Sequence, residues 1–489
     1  MLGLPASSAP SGIHFTLSRR GGAFDPGEIA NMTFLTEQLA ISEERFSATK
    51  REIRGNKVVR VASGDGRPAG HYDRLLGEVG RSGSWAATLN VGQQLQPIEM
   101  DLDMLTSDFV VHTTTSDRGT RFNDIFSNTH EKLADFPFPN CRVAADSLWL
   151  PGSGVDFRIA YPDFRPLKPS LETLRPSGAI LGLAASDGLS QTRKSSIIKQ
   201  LLDAEVIQRN LFSVMLLNAR EGVLSLGGTA AEAVKAAIDD TENALRRLGD
   251  TQPHVEDYRL NATEPFTGEE GSEGLAKRQL DKQASSDWTD KWKWTPFEGA
   301  DGWWQILMRG VWINGAKVLS NQPTIIDLST PFILAPPHAA RAFYASISGS
   351  RRLRKPYNSF YSFPCLNPPS LALEFAGELF PVFQGPQDHR NEPWSHKGGK
   401  LSLGRVGLGS GYCVGAVVET KIGLGDDAGG KGRKNKRGTD STTSSVAGYV
   451  AGNGLRDVWV LGELGFRGLG MALDVSHDQW RGTLSADTA

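Results

Sequence analysis

The chain has 489 residues, and its 53 Lys and Arg nearly balance 55 Asp and Glu, so a formal charge of −2 offers no general pull toward nucleic acid or an anionic membrane. That length suggests about three domain-sized units, and 54 glycines with 26 prolines favour a turn-rich β fold over a helical one. No apolar run approaches the roughly 18 residues of a membrane helix, and neither a signal peptide at Met1–Pro10 nor an apolar tail at Ser485–Ala489 is visible.

Taken in chain order, Ala30–Lys50 is a charged stretch in which Leu35, Leu39 and Phe46 share one face, predicting an amphipathic helix. A Gly- and Pro-bearing linker, Ser63–Gly70, follows it. This N-terminal region reads either as a small helical appendage or as a propeptide that covers a cleft until removed. Strand-like texture begins at Trp85–Val91 and continues through Pro97–Leu102, where Ile98, Met100 and Leu102 alternate onto one face. Phe109–Val111, Val155–Ile159 and Gly178–Leu183 read as further strands, and Ser195–Ile207 as a helix. Phe212–Leu217 and Gly222–Leu226 read as a hairpin pair. Thr229 to Gly249 has helical spacing, and the polar stretch Asn261–Lys291 reads as a surface insertion. Strand texture resumes at Trp303, with further polar stretches near Gly385–Lys400 and Gly423–Ser445.

A weak internal duplication carries the most information. Ile98 to Thr106 delivers Asp103-Met-Leu-Thr106, followed much later by Ala179-Ile-Leu-Gly182. Thr324 to Thr330 delivers Asp327-Leu-Ser-Thr330, followed by Val458-Trp-Val-Leu-Gly462. Two such halves facing each other would bring Asp103 and Asp327 to one interface. Neighbouring carboxylates share a proton, so one can activate a water while the other protonates a carbonyl oxygen, without a metal or cofactor. Thr106 and Thr330, the third residue on in each half, are placed to orient the carboxylates.

Other signals weigh little. Gly425–Gly432 nearly fits a phosphate-binding loop but places Gly432 where a hydroxyl should hold magnesium. Lys431–Arg437 reads as a solvated basic loop, with processing at Lys436-Arg437 as the sharper alternative. No Gly-x-Ser-x-Gly or His-Glu-x-x-His pattern occurs. Asn31-Met-Thr33 and Asn261-Ala-Thr263 are glycosylation acceptors. Three cysteines, Cys141, Cys365 and Cys413, suit one pair and one free thiol.

In order from about residue 85 to 475, the chain resembles the pepsin-like aspartic peptidases. The resemblance lies in Trp85–Val111, Gly178–Leu183, Gly222–Gly228, Trp303–Met308, Ile326–Pro337, Phe363–Cys365, Cys413–Gly415 and Val458–Gly462. It implies an all-β, two-lobed acid protease fold with a few short helices and a cleft for a polypeptide between the lobes. The division it implies is a propeptide-like segment at 1–82, a first lobe at 83–228, a connection at 229–302 and a second lobe at 303–489. It further implies catalysis by Asp103 and Asp327, a Cys365–Cys413 disulfide, a monomer, and a secreted or vacuolar location. The family motif is Asp-Thr-Gly or Asp-Ser-Gly. Here Met104 and Leu328 replace the hydroxyl residues that cross-link the two loops, and Leu105 and Ser329 replace the glycines. Apolar Met104 and Leu328 are expected to pack together instead of forming that network. The flap tyrosine of the family has no alignable counterpart, since Tyr161 is the one tyrosine between Asp103 and Gly178. Catalysis by the pair is therefore one expectation; a silent member of the fold, binding a peptide, protein or carbohydrate, is the other.

Overall fold

Runs rich in β-branched and aromatic residues form pleated strands, and the structure, a computed structural model, is mostly β with a few short helices. It describes residues 12–19, 29–48, 51–54, 57–60, 85–113, 122–135, 141–149, 156–164, 179–184, 196–216, 220–230, 293–296, 303–383, 401–422, 457–466, 469–474 and 481–486. The linker expected at Ser63–Gly70, nearly all of the segment expected to be helical and polar between Thr229 and Asp301, and the polar stretches near 385–400 and 423–445 lie outside these residues. So do Asn261 and the basic run Lys431–Arg437.

Two large sheets carry the architecture, which is compatible with a two-lobed all-β fold. One has thirteen strands, mostly from the first half, and is curled back on itself where Trp85–Val91 pairs with both Gln96–Asp103 and Cys141–Trp149. The last strands of the chain, Leu469–Asp474 and Arg481–Ala486, extend this sheet through Leu211–Leu216. The other has seven strands, all between Gln305 and Leu461, beside a four-stranded sheet that carries the disulfide Cys365–Cys413.

The duplication read from sequence has a matching geometry. Gln96–Asp103 lies parallel to Ala179–Gly182, with Asp103 opposite Gly182. Ala316–Ile326 lies parallel to Trp459–Leu461, with Ile326 opposite Leu461. In each half the later strand is flanked on its other side by an antiparallel strand that follows the aspartate, Phe109–His112 or Ile333–Ala335. Alternation explains the burial: Ile98, Met100 and Leu102 are each 1% exposed, on one face of their strand. Gly182 and Gly462 are required because a Cβ at either would collide with backbone of the stretch that follows each aspartate, at Ser107–Asp108 and at Thr330–Phe332.

The N-terminal region contains the expected helix, α1 (Met32–Ala48), and also a strand that periodicity did not single out. Ile13–Arg19 is inserted between Glu221–Leu226 and Trp85–Val91, with Ile13, Phe15 and Leu17 buried on alternate positions. Asn31 caps α1 by accepting from the Phe34 amide at 3.1 Å. Leu35, Leu39 and Phe46 are buried on one helix face together with Gln38, Ser42 and Arg45. That face touches the second half of the chain through Phe46 edge-on to Trp303, and through Glu43, whose Oε1 accepts from the Lys421 amide and the Thr420 hydroxyl.

Candidate functional site

Each aspartate stands where a strand ends and a tight loop begins. Asp103 closes Gln96–Asp103, and Asp327 directly follows Ala316–Ile326; both are fully buried. The loops repeat each other in detail. The Leu105 amide donates to Asp103 Oδ1 at 2.8 Å, and the Ser329 amide donates to Asp327 Oδ1 at 3.2 Å. The Thr106 carbonyl accepts from the Ala184 amide, and the Thr330 carbonyl from the Glu463 amide. Neither Leu105 nor Ser329 has a positive φ, so the change from glycine carries no left-handed strain at either position.

The threonines differ. Thr330 Oγ1 donates to Asp327 Oδ2 at 2.6 Å, as its position in the motif suggests. Thr106 does not reach Asp103: its hydroxyl donates to Asp108 Oδ2 at 3.4 Å and accepts from the Asp108 amide. Asp103 Oδ2 consequently has no hydrogen-bond partner among the described residues.

The two aspartates converge on one side chain from α1. Arg45 donates through Nη2 to Asp103 Oδ1 at 2.8 Å and through Nη1 to Asp327 Oδ2 at 3.0 Å, and the three side chains are at most 3% exposed. Burial by itself would lower the Arg45 pKa, but Asp327 and Asp103 together outweigh it and hold the guanidinium above its ordinary range. An unpaired charge could not be buried at this depth. Sequence reasoning missed Arg45; the available signal was a cation on the same helical face as Leu35, Leu39 and Phe46. A second N-terminal arginine is buried in a similar way: Arg19 Nε donates to Glu463 Oε2 at 2.9 Å, beside Gly462.

Met104 and Leu328 were expected to pack together in place of the family's hydroxyl network, and the structure adds a hydrogen bond between them. Both are buried, yet the Leu328 amide donates to Met104 Sδ at 3.4 Å. Beside it, Ser329 Oγ donates to the Leu102 carbonyl at 2.8 Å. The physical reason is that a thioether sulfur still accepts, and that the hydroxyl lost from one position is supplied one residue later. Farther along, Trp304 Nε1 donates to the Leu183 carbonyl, and the Leu183 amide donates to the Asp103 carbonyl.

Tyr161 is fully buried, edge-on to Phe109, and is a core residue. It lies on the strand Asp156–Phe164, which pairs antiparallel with Cys141–Trp149. Trp149, the last residue of Cys141–Trp149, is 38% exposed. Of the remaining site candidates, Asn31 is exposed at the start of α1. Cys365 and Cys413 are joined. Among the described residues no helix is long and apolar enough to cross a membrane.

Fold and site together define a mostly β chain whose two related halves direct two buried aspartates at a single cation. No family model matches the sequence. The chain is 36% identical over 121 residues to a protein of Phaffia rhodozyma named "Aspartic protease", an alignment spanning 24% of this chain and 26% of that relative. The chain thus matches about a quarter of the relative's length.

Proposed function

We propose that this chain is a pepsin-like aspartic endopeptidase held inactive by its own N-terminal segment. The observation that carries the reading is the convergence of Asp103 and Asp327, from matching loops of two related halves, on Arg45. The partial similarity to a protein named as an aspartic protease supports the same class. In this reading 83–228 and 303–489 are the principal contributions to the two lobes, 229–302 connects them, and a polypeptide binds between them. Residues 1–82 act as a propeptide, and the mature enzyme is a secreted or vacuolar monomer.

Release of Arg45 leaves two carboxylates facing each other with no cation between them. They then share one proton across acidic pH. The ionised member takes a proton from a bound water, which attacks the peptide carbonyl carbon, while the protonated member donates to the carbonyl oxygen. The Leu105 and Ser329 amides fix the inner carboxylate oxygens, and Thr330 fixes the outer oxygen of Asp327. Water is the sole co-reactant.

A second reading, a silent member of the fold that binds peptide, protein or carbohydrate, is favoured by one observation: Thr106 is bonded to Asp108 and not to Asp103. The test uses the full chain, intact and nicked by an added protease between α1 and Trp85. Each is incubated with an unfolded protein from about pH 2 to about pH 6, with and without pepstatin. Pepstatin-sensitive cleavage that disappears in Asp103→Asn and Asp327→Asn is expected. Cleavage surviving in both variants overturns the assigned pair, and no cleavage at any pH supports the silent reading.

A further inference from the structure

We infer that Ser329 is a positioning residue that couples the two aspartates to each other; the inference rests on reading Asp103 and Asp327 as a catalytic pair. Ser329 is bonded toward both of them. Its amide donates to Asp327 Oδ1 at 3.2 Å, and its hydroxyl donates at 2.8 Å to the carbonyl of Leu102, the residue that precedes Asp103. One residue therefore holds one carboxylate directly and the backbone carrying the other.

Ser329 matters more than its neighbours because of what it can donate. Among the described residues, two hydrogen bonds join these segments, and in both the donor belongs to the second loop and the acceptor to the first loop or the strand end before it. The Leu328 amide to Met104 Sδ, at 3.4 Å, uses a weak acceptor. The Ser329 hydroxyl to the Leu102 carbonyl is the shorter bond, made to a strong acceptor. Leu102, Met104 and Leu328 are at most 2% exposed, so both acceptors are shielded from water, while Ser329 itself is half-buried. The side chains of Met104, Leu105 and Leu328 carry no hydrogen-bond donor, which leaves Ser329 as the position in these two triplets where a side chain can donate across the junction. Alanine at this position keeps the amide that holds Asp327 and deletes the link to the other loop.

Because the separation of two carboxylates governs how they share a proton, loss of the link should appear in the pH profile and in kcat, with little change in substrate affinity. Wild type, Ser329→Ala, Ser329→Thr and Met104→Leu are compared as the same nicked chain. Active centres are counted by pepstatin titration, so that misfolded protein does not count. Ser329→Ala is expected to lower kcat about tenfold to a hundredfold with KM nearly unchanged, and to bring the two limbs of the pH profile closer together. Ser329→Thr, which keeps the hydroxyl, is expected to restore both. Met104→Leu, which keeps the volume but removes the sulfur, should shift the profile in the same direction by less. A Ser329→Ala enzyme with wild-type kcat and wild-type limbs overturns the positioning role and leaves the peptidase reading standing. Wild-type protein that cleaves nothing overturns the peptidase reading itself, and the two failures are told apart by the wild-type arm.

Discussion

Arg45 and Asp103 meet at 2.8 Å across a long stretch of chain, and the same guanidinium reaches Asp327 at 3.0 Å with its other terminal nitrogen. The helix bearing Arg45 is also bonded to Thr420 and Lys421 through Glu43, while the strand before it, Ile13–Arg19, is built into the thirteen-stranded sheet. The N-terminal region is therefore held by sheet pairing, by apolar contact and by a charge at the junction. Acting together, these three place a cation where two buried carboxylates require one.

Removing that cation should be costly. Arg45→Met leaves two buried carboxylates without their partner, and breaking a buried pair in this way costs about 3–5 kcal/mol. The expected result at neutral pH is a lower Tm and faster proteolysis of α1. Combining Arg45→Met with Asp103→Asn and Asp327→Asn removes all three charges and should recover most of the loss. A triple variant as unstable as Arg45→Met would assign the effect to lost packing of the arginine stem.

The paired glycines make a second prediction. Gly182→Ala and Gly462→Ala each drive a Cβ into backbone that cannot swing away, at Asp108 and at Thr330 and Phe332. Overpacking of this kind costs about 1–3 kcal/mol, and here the displaced backbone follows Asp103 or Asp327. Both variants should unfold at lower temperature and bind pepstatin less well. Gly411→Ala, where a Cβ would meet nothing within 4 Å, is the control and should behave as wild type.

Much of this was legible in the sequence because periodicity and duplication are local signals. The alternation at Ile98, Met100 and Leu102 gave a strand and its buried face, and Leu-Gly endings at Gly182 and Gly462 marked the strands that lie beside the aspartates. The strand Ile13–Arg19 was not legible, because its partners Glu221–Leu226 and Trp85–Val91 are remote in sequence and its own run is short. Arg45 was hidden for a related reason: an arginine in a charged helix reads as solvated until its two partners are seen. Met104 was read by its apolarity, and its role as an acceptor depends on the position of the Leu328 amide, which no pattern in the sequence reports.

A third prediction concerns acid stability in the region around Asp146. Burial works to raise the Asp146 pKa, but the nearby His130 ring and hydrogen bonds from Thr129, the Ser147 amide and Ser127 outweigh it and hold the carboxyl below its ordinary range. Thr129 and Ser127 lie 2.5 and 2.9 Å from Oδ1, and His130, which also faces Asp124, lies 3.5 Å from Oδ2. A folded-state pKa below the unfolded one means that this stabilisation is fully present above the unfolded value, about 3.9. It is lost as pH falls through the lower, folded value. In urea unfolding followed against pH, Asp146→Asn should be less stable than wild type near neutrality, and the gap should narrow below about pH 4. A gap that stays constant to the most acid pH would show that the carboxylate's charge is not the source of the effect.

The disulfide supplies the fourth prediction. Cys365 follows directly on strand Tyr361–Pro364, and Cys413 lies opposite Phe363 on the neighbouring strand, so the bond closes the end of a sheet that is already paired. Both cysteines are buried, at 4% and 1% exposure, so replacement by alanine exposes no new polar group. The bond spans 48 residues, and in the chain-entropy account closing a loop of that length stabilises the fold by about 4 kcal/mol. Cys365→Ala with Cys413→Ala should therefore shift the urea midpoint of the second half by roughly that free energy. The Arg45 contacts should remain, since neither cysteine takes part in them. Limited proteolysis separates the two effects: cleavage should increase between Cys365 and Cys413 while α1 stays as protected as in wild type. Loss of α1 protection in the double variant would mean that the small sheet, through the pairing of Ile29 with Arg405, governs the docking of the N-terminal segment as well.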